Sequence, residues 1–253
     1  VFWDQKVLMP GSEEVKINDA VVKYYMNKDR FLGDVLSKLD DKTLLLVVSD
    51  HGFTSFERGV SMNNWLLDNG YLTLTQDIPP GEDGALFKYV DWSKTKAYSL
   101  GFNSIYINLK GREGKGIVDP QDREKVVSHI ISGLQNLTDD KYGKNVLNRA
   151  YTREEVYSGD YLADAPDIIV GFNPGYRMGW QNAIGGFAPE TITDNTKKWD
   201  GDHLVDPKFV PGILFSNVNL GQENASQMDV APTILDSLGI NEPQDMDGRS
   251  LLN

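Results

Sequence analysis

Residues 44–53 read LLLVVSDHGF: five apolar positions, Leu44 to Val48, run straight into Ser49, Asp50, His51 and Gly52. A short apolar run, β-branched at its end and bounded by polar residues, reads as a strand buried on both faces. Such strands belong to parallel sheets with helices packed above and below. In open α/β sheets, ligands sit beyond the carboxyl ends of the strands. Asp50 and His51 fall at that place, and Gly52 permits a sharp turn with no side chain in the way. A carboxylate beside a neutral imidazole suits Zn²⁺, with Mn²⁺ or Fe²⁺ as alternatives. The same pair also makes a plain hydrogen-bonded turn, and three residues alone do not choose between the two.

Working outward, residues 13–39 place Ile17, Val21, Tyr24, Tyr25, Leu32, Val35, Leu36 and Leu39 on one helical stripe. Downstream, SMNNWLLDNGYLTL reads as a short helix capped by Ser61 and closed at Gly70, then a strand. TKAYSLGFNSIYINL reads as a hairpin with Gly101 and Asn103 near its turn. DPQDREKVVSHIISGLQNL is an amphipathic helix headed by Pro120. APDIIVGF and VPGILFSN read as two more buried strands, and SQMDVAPTILDSLGI as a helix stopping at Gly239. Strands alternating with helices predict an α/β fold, with an inserted α+β subdomain at about 85–200.

The chain has 253 residues, 40% of them hydrophobic, a formal net charge of −12 and no cysteine. That charge argues against a nucleic-acid polymer or an anionic membrane surface as partner. The lack of cysteine removes disulfides, thiolate zinc sites and thiol nucleophiles, and favours a reducing, cytoplasmic compartment. No apolar run approaches a membrane span and the start does not resemble a signal peptide. The first residue is Val1 rather than methionine, so a natural beginning further upstream is expected.

Three histidines exist. His129 lies mid-helix in VVSHIISGL and is expected to serve the core. His203 lies in WDGDHLVDP, a loop dense in Asp and Gly, where glycine lets an imidazole reach a ligand and Asp202 is placed to orient it from behind. Its alternative is a surface loop histidine.

The order of these stretches carries a resemblance. SDHGF at 49–53 is followed by NWL at 64–66, GYL at 70–72 and DWSKTKAY at 91–98. NLKGREGKGIV at 108–118, APD at 165–167, GYR at 175–177 and WDGDH at 199–203 complete the series. Together they resemble the alkaline phosphatase superfamily on its type I phosphodiesterase and nucleotide pyrophosphatase branch. The resemblance implies an alkaline-phosphatase-like, mostly parallel sheet with helices on both faces, the chain being the C-terminal portion of one such domain. It implies two divalent metal ions, Zn²⁺ first and Mn²⁺ as the alternative, with Asp50 and His51 serving one and His203 the other. Asp202 stands behind His203, and the substrate is a small phosphate ester. No catalytic nucleophile is identifiable; the resemblance places it upstream of Val1, so this chain alone is expected to be inactive and to bind metal weakly or not at all. Leu204 departs from the glycine usual after this histidine, which weighs against nucleotide substrates.

Arg177 offers a fork for an anionic substrate group, with a structural salt bridge as its alternative, and Asn64 is placed to hydrogen-bond substrate or to serve a helix start. Arg112 reads as an ion pair with Glu113 or another surface acid, and Asp229 as a helix N-cap. The expected activity is metal-dependent hydrolysis of phosphoric esters. The alternative is a non-catalytic pseudoenzyme or binding domain that keeps the fold.

Overall fold

The computed structural model describes residues 19–221 and 224–252. They form two compact units, one continuous, Phe53–Val210, the other drawn from the segments on either side of it. No described helix is long and apolar enough to cross a membrane.

The discontinuous unit opens with helix α1, Asp19–Leu36. Of the expected stripe, Leu32, Val35 and Leu39 are half-buried, whereas Tyr24, Tyr25 and Leu36 are exposed. Ile17 and the side chain of Val21 lie outside the described residues. Strand β1, Leu46–Ser49, forms where the apolar run predicts. Its surroundings differ from the expectation: Leu46 and Val47 are half-buried and Val48 is exposed.

The continuous unit is built around β2, Thr54–Val60, which a β-bulge at Glu57 interrupts so that Phe56, Arg58, Gly59 and Val60 are all buried. Helix α2, Met62–Asp68, starts at Ser61, whose hydroxyl accepts from the Asn64 N–H, and the chain leaves it through Gly70 at φ 73°. The predicted hairpin is β3, Ala97–Ser99, against β4, Ser104–Ile107, turned through left-handed Gly101 and Asn103. After Pro120 comes α3, Arg123–Leu134, whose buried face is Val127, Ile130 and Leu134. The same 3.6-residue period turns His129 outward, so the expected core role of His129 is corrected: it is exposed.

A small ribbon, β5 (Thr138–Asp139) with β6 (Lys144–Asn145), leads into β7, Leu147–Thr152, and α4, Arg153–Val156. Strand β8, Ile168–Phe172, then completes an antiparallel sheet in the order β3-β4-β8-β7. Strand β9, Gly175–Met178, runs parallel to β2 and continues into α5, Trp180–Ala183. Strands β10, Ile192–Asp194, and β11, Gly201–Asp202, pair antiparallel with β2. The core fills with Ile105, Ile107, Ile130, Leu134, Ile168, Val170 and Phe172, all fully buried.

The chain then re-enters the discontinuous unit with β12, Ile213–Ser216, which pairs antiparallel with β1. Helix α6, Val230–Ser237, follows and ends before left-handed Gly239. Asp229 holds the N-cap position of α6 as predicted, but its side chain makes no capping bond to that helix. Ser226 is the capping residue of the preceding turn, while the Asp229 carboxylate reaches back to the Ser226 N–H at 2.7 Å and holds the Arg249 N–H at 2.9 Å. The α/β class holds, but the mostly parallel pairing does not: β2 with β9 is the one parallel ladder among the described strands. An apolar run records burial, not direction, so neighbour orientation was beyond its reach.

Candidate functional site

Asp50 and His51 leave β1 together. The Asp50 Oδ1 accepts the His51 backbone N–H at 3.1 Å, which tightens the turn. The His51 Nδ1 lies 2.8 Å from the Gly52 carbonyl. Only a protonated Nδ1 makes that contact a hydrogen bond, so the neutral ring keeps its lone pair on Nε2. Nε2 in turn lies 3.5 Å from the Asp50 Oδ2, and the carboxylate is 65% exposed. Two donors bonded to one zinc ion at about 2.0–2.2 Å and near the tetrahedral angle stand roughly 3.3–3.6 Å apart. The pair therefore has the spacing that two ligands of one zinc ion need. Among the described residues, no group of three or more His, Cys, Asp and Glu side chains stands together as a metal site.

His203 is set by a different strand. Strand β11 pairs Gly201 with Ser55 and Asp202 with Thr54, so the loop that follows begins beside the start of β2. The His203 ring centre is 5.7 Å from that of Phe53, tilted by 58°. Asp202 works mainly on the backbone: its Oδ1 accepts the N–H of His203 at 2.7 Å and of Leu204 at 3.1 Å, while the His203 Nδ1 is 3.7 Å away. Its Oδ2 meets the Arg177 Nη1 at 2.5 Å. Asn103 donates to the Leu204 carbonyl at 3.4 Å from the other side. The expectation of an acid behind His203 anticipates the neighbour, but the contact runs through the peptide chain rather than the ring.

Two expected substrate contacts are otherwise engaged. Arg177 is 1% exposed, and its one ion pair among the described residues is with Asp202. Asn64 uses both ends of its amide on Ala188, Oδ1 accepting the N–H at 3.0 Å and Nδ2 donating to the carbonyl at 2.9 Å, and Oδ1 also takes the Ser61 hydroxyl at 2.6 Å. Arg112 pairs with Glu113 at 2.7 Å as expected, and also with Asp167 at 2.6 Å, an acid that is buried rather than on the surface. Asp206, two residues beyond Leu204, accepts from the Tyr151 hydroxyl and Asn148 amide, which together with the Lys208 N–H hold its pKa below the usual range against the effect of burial. A cleft of about 900 Å³ lies elsewhere in the continuous unit, beside Arg58, Asp139 and Asp194. Arg58 grips Asp139 through Nε at 2.9 Å and Nη2 at 3.1 Å and pairs with Asp194 as well, so its charge is satisfied internally.

Missed in the sequence were the partnership of Arg177 with Asp202, 25 positions apart, and the contact of Phe53 with His203. No spacing rule links residues that meet only through two neighbours of one strand.

A family model described as type I phosphodiesterase / nucleotide pyrophosphatase matches residues 5–200. Asp50, His51, Asn64 and Arg177 lie inside that match; Asp202 and His203 lie just beyond it. The chain is also similar to the 2,3-bisphosphoglycerate-independent phosphoglycerate mutase of Metamycoplasma hominis, 67% identical over 67 residues, covering 25% of this chain and 12% of that protein. The protein of the same name from Antithamnion sp. is 42% identical over 71 residues, covering 26% of this chain and 13% of that protein. The chain thus spans roughly an eighth of the length of the curated relatives it matches.

Proposed function

The chain belongs to the type I phosphodiesterase / nucleotide pyrophosphatase family, and from that premise we propose that it serves metal-dependent hydrolysis of phosphoric esters. The observation that carries the reading is the Asp50–His51 pair: Oδ2 and Nε2 at 3.5 Å, with Nδ1 engaged by the Gly52 carbonyl. A backbone carbonyl on the far nitrogen is the usual way a ligating imidazole is oriented. Asp50 and His51 would hold one divalent cation, Zn²⁺ by preference, and His203 would contribute to a second. When bound, such cations clamp a phosphoryl group and neutralise the charge that develops on its oxygens. The work of this chain is to present those donors. The substrate is a small phosphate ester.

Calorimetric titration of the longest natural polypeptide that carries this chain with Zn²⁺ tests the reading. Asp50→Asn and His51→Ala are each expected to lower the affinity at least tenfold, and affinity unchanged in both would overturn it. Turnover is measured in the longest natural polypeptide that carries this chain, with a chromogenic phosphodiester and monoester. A second reading, transfer of the phosphoryl group between two hydroxyls, is favoured by the similarity to the two phosphoglycerate mutases. Interconversion of 2- and 3-phosphoglycerate without release of phosphate would support it over hydrolysis. Metal binding with neither activity would support a non-catalytic role.

A further inference from the structure

Arg177 is the largest fully buried side chain among the described residues. Its guanidinium lies 4.1 Å from the ring centre of Trp180, 4.5 Å from that of Phe56 and 5.9 Å from that of Phe102. Against its five N–H hydrogens it has one charged partner among the described residues, Asp202. Nε and Nη2 are buried with no hydrogen-bond partner among the described residues. Burial pushes the guanidinium pKa down, and the Asp202 carboxylate opposes that shift. Packing does not require this arrangement, since an apolar side chain of similar volume fills such a space without a desolvation penalty. Nor does the burial leave a route to a ligand.

The use of the charge lies in what Asp202 does next. One carboxylate oxygen is held by Arg177; the other holds the backbone N–H groups of His203 and Leu204. The sheet register makes the clamp: β9 sets Arg177 beside Gly59 of β2, β11 sets Asp202 beside Thr54, and the Phe56 ring of β2 supports the guanidinium. We propose that Arg177 is a positioning residue for His203, locking Asp202 so that the peptide groups of residues 203–204, and with them the imidazole, stay in one orientation. This rests on the metal role proposed for His203. It replaces direct binding of an anionic substrate as the function of Arg177.

The test compares the longest natural polypeptide that carries this chain with its Arg177→Met, Asp202→Ala, double and His203→Ala variants by amide hydrogen exchange, Zn²⁺ titration and phosphodiester turnover. Exchange at the His203 and Leu204 amides is expected to quicken at least tenfold in either single variant. The double variant should be no worse than Asp202→Ala, because both changes break one clamp. Zinc affinity should fall about 10–100-fold, the usual effect of removing a group that orients a ligand. Should Arg177→Met not fold, Arg177→Gln, which loses the charge and the reach of the guanidinium, gives the same comparison. Exchange like the unaltered chain in a folded Arg177 variant would overturn the proposal. So would a raised KM for a phosphodiester with zinc affinity intact, the sign of direct substrate contact. Unchanged zinc affinity in His203→Ala would count against the metal reading instead, and amide exchange would still judge the clamp.

Discussion

Asn64 shows how one amide can replace a stretch of backbone pairing. It meets the Ala188 N–H and carbonyl together, as a neighbouring strand would, and its own N–H is taken by Ser61 at the start of α2. Asn64→Ala leaves those groups without partners in a half-buried place, and should lower stability by about 1–3 kcal/mol in urea unfolding while KM for a phosphodiester is unchanged; a raised KM with stability intact would return Asn64 to the substrate. Asp229 gives a pH signature. The N–H groups of Arg249 and Ser226 hold its pKa below the ordinary value. A carboxyl whose folded pKa is depressed adds stability that is complete above its unfolded pKa, about 3.9, and that is lost as pH falls through the lower folded value. The protection factor of the Arg249 amide should therefore drop between pH 5 and the acid side of that window. In Asp229→Asn it should be lower at pH 5 and nearly flat; parallel curves for the two proteins would contradict the assignment.

At the scale of elements, β8 is an interior strand with β4 on one side and β7 on the other. A Cβ added at Gly171 would stand 2.5 Å from the Asp206 Oδ2 and 2.9 Å from the Arg149 carbonyl oxygen. Neither can give way cheaply: Arg149 is backbone in a paired strand, and Asp206 is fixed by Tyr151 at 2.6 Å and Asn148 at 2.8 Å. Gly171→Ala is expected to cost about 1–3 kcal/mol, the usual range for overpacking, read as a lower urea midpoint; an unchanged midpoint would show that the Asp206 contact is loose. The glycine is thus a condition for bringing the segment after His203 against the sheet.

For the whole molecule, the distribution of buried apolar residues decides what can fold alone. Among the described residues, every member of the buried apolar core except Leu251 lies in Phe53–Val210. In the discontinuous unit, Tyr24, Tyr25 and Phe31 of α1, Val48 of β1 and Phe215 of β12 are all exposed. Residues 53–210, expressed separately, should unfold cooperatively in denaturant. In the intact chain their core amides should exchange far more slowly than those of residues 19–52 and 211–252, because exchange protection follows local burial. Equal protection in the two units would refute this division.

The sequence by itself determined which segments become strands and helices, because periodicity, capping residues and glycines act within a few positions: β1, the β3–β4 hairpin, α3 behind Pro120 and β8 all stand where the pattern put them. It also placed Asp50 and His51 side by side at a strand end, since adjacent residues need no fold to meet. The tertiary structure alone decided the rest. Strand direction, the outward face of His129, the burial of Arg177 and its pairing with Asp202 depend on which elements become neighbours. That choice is made by packing between residues far apart in the chain, and local patterns do not encode it.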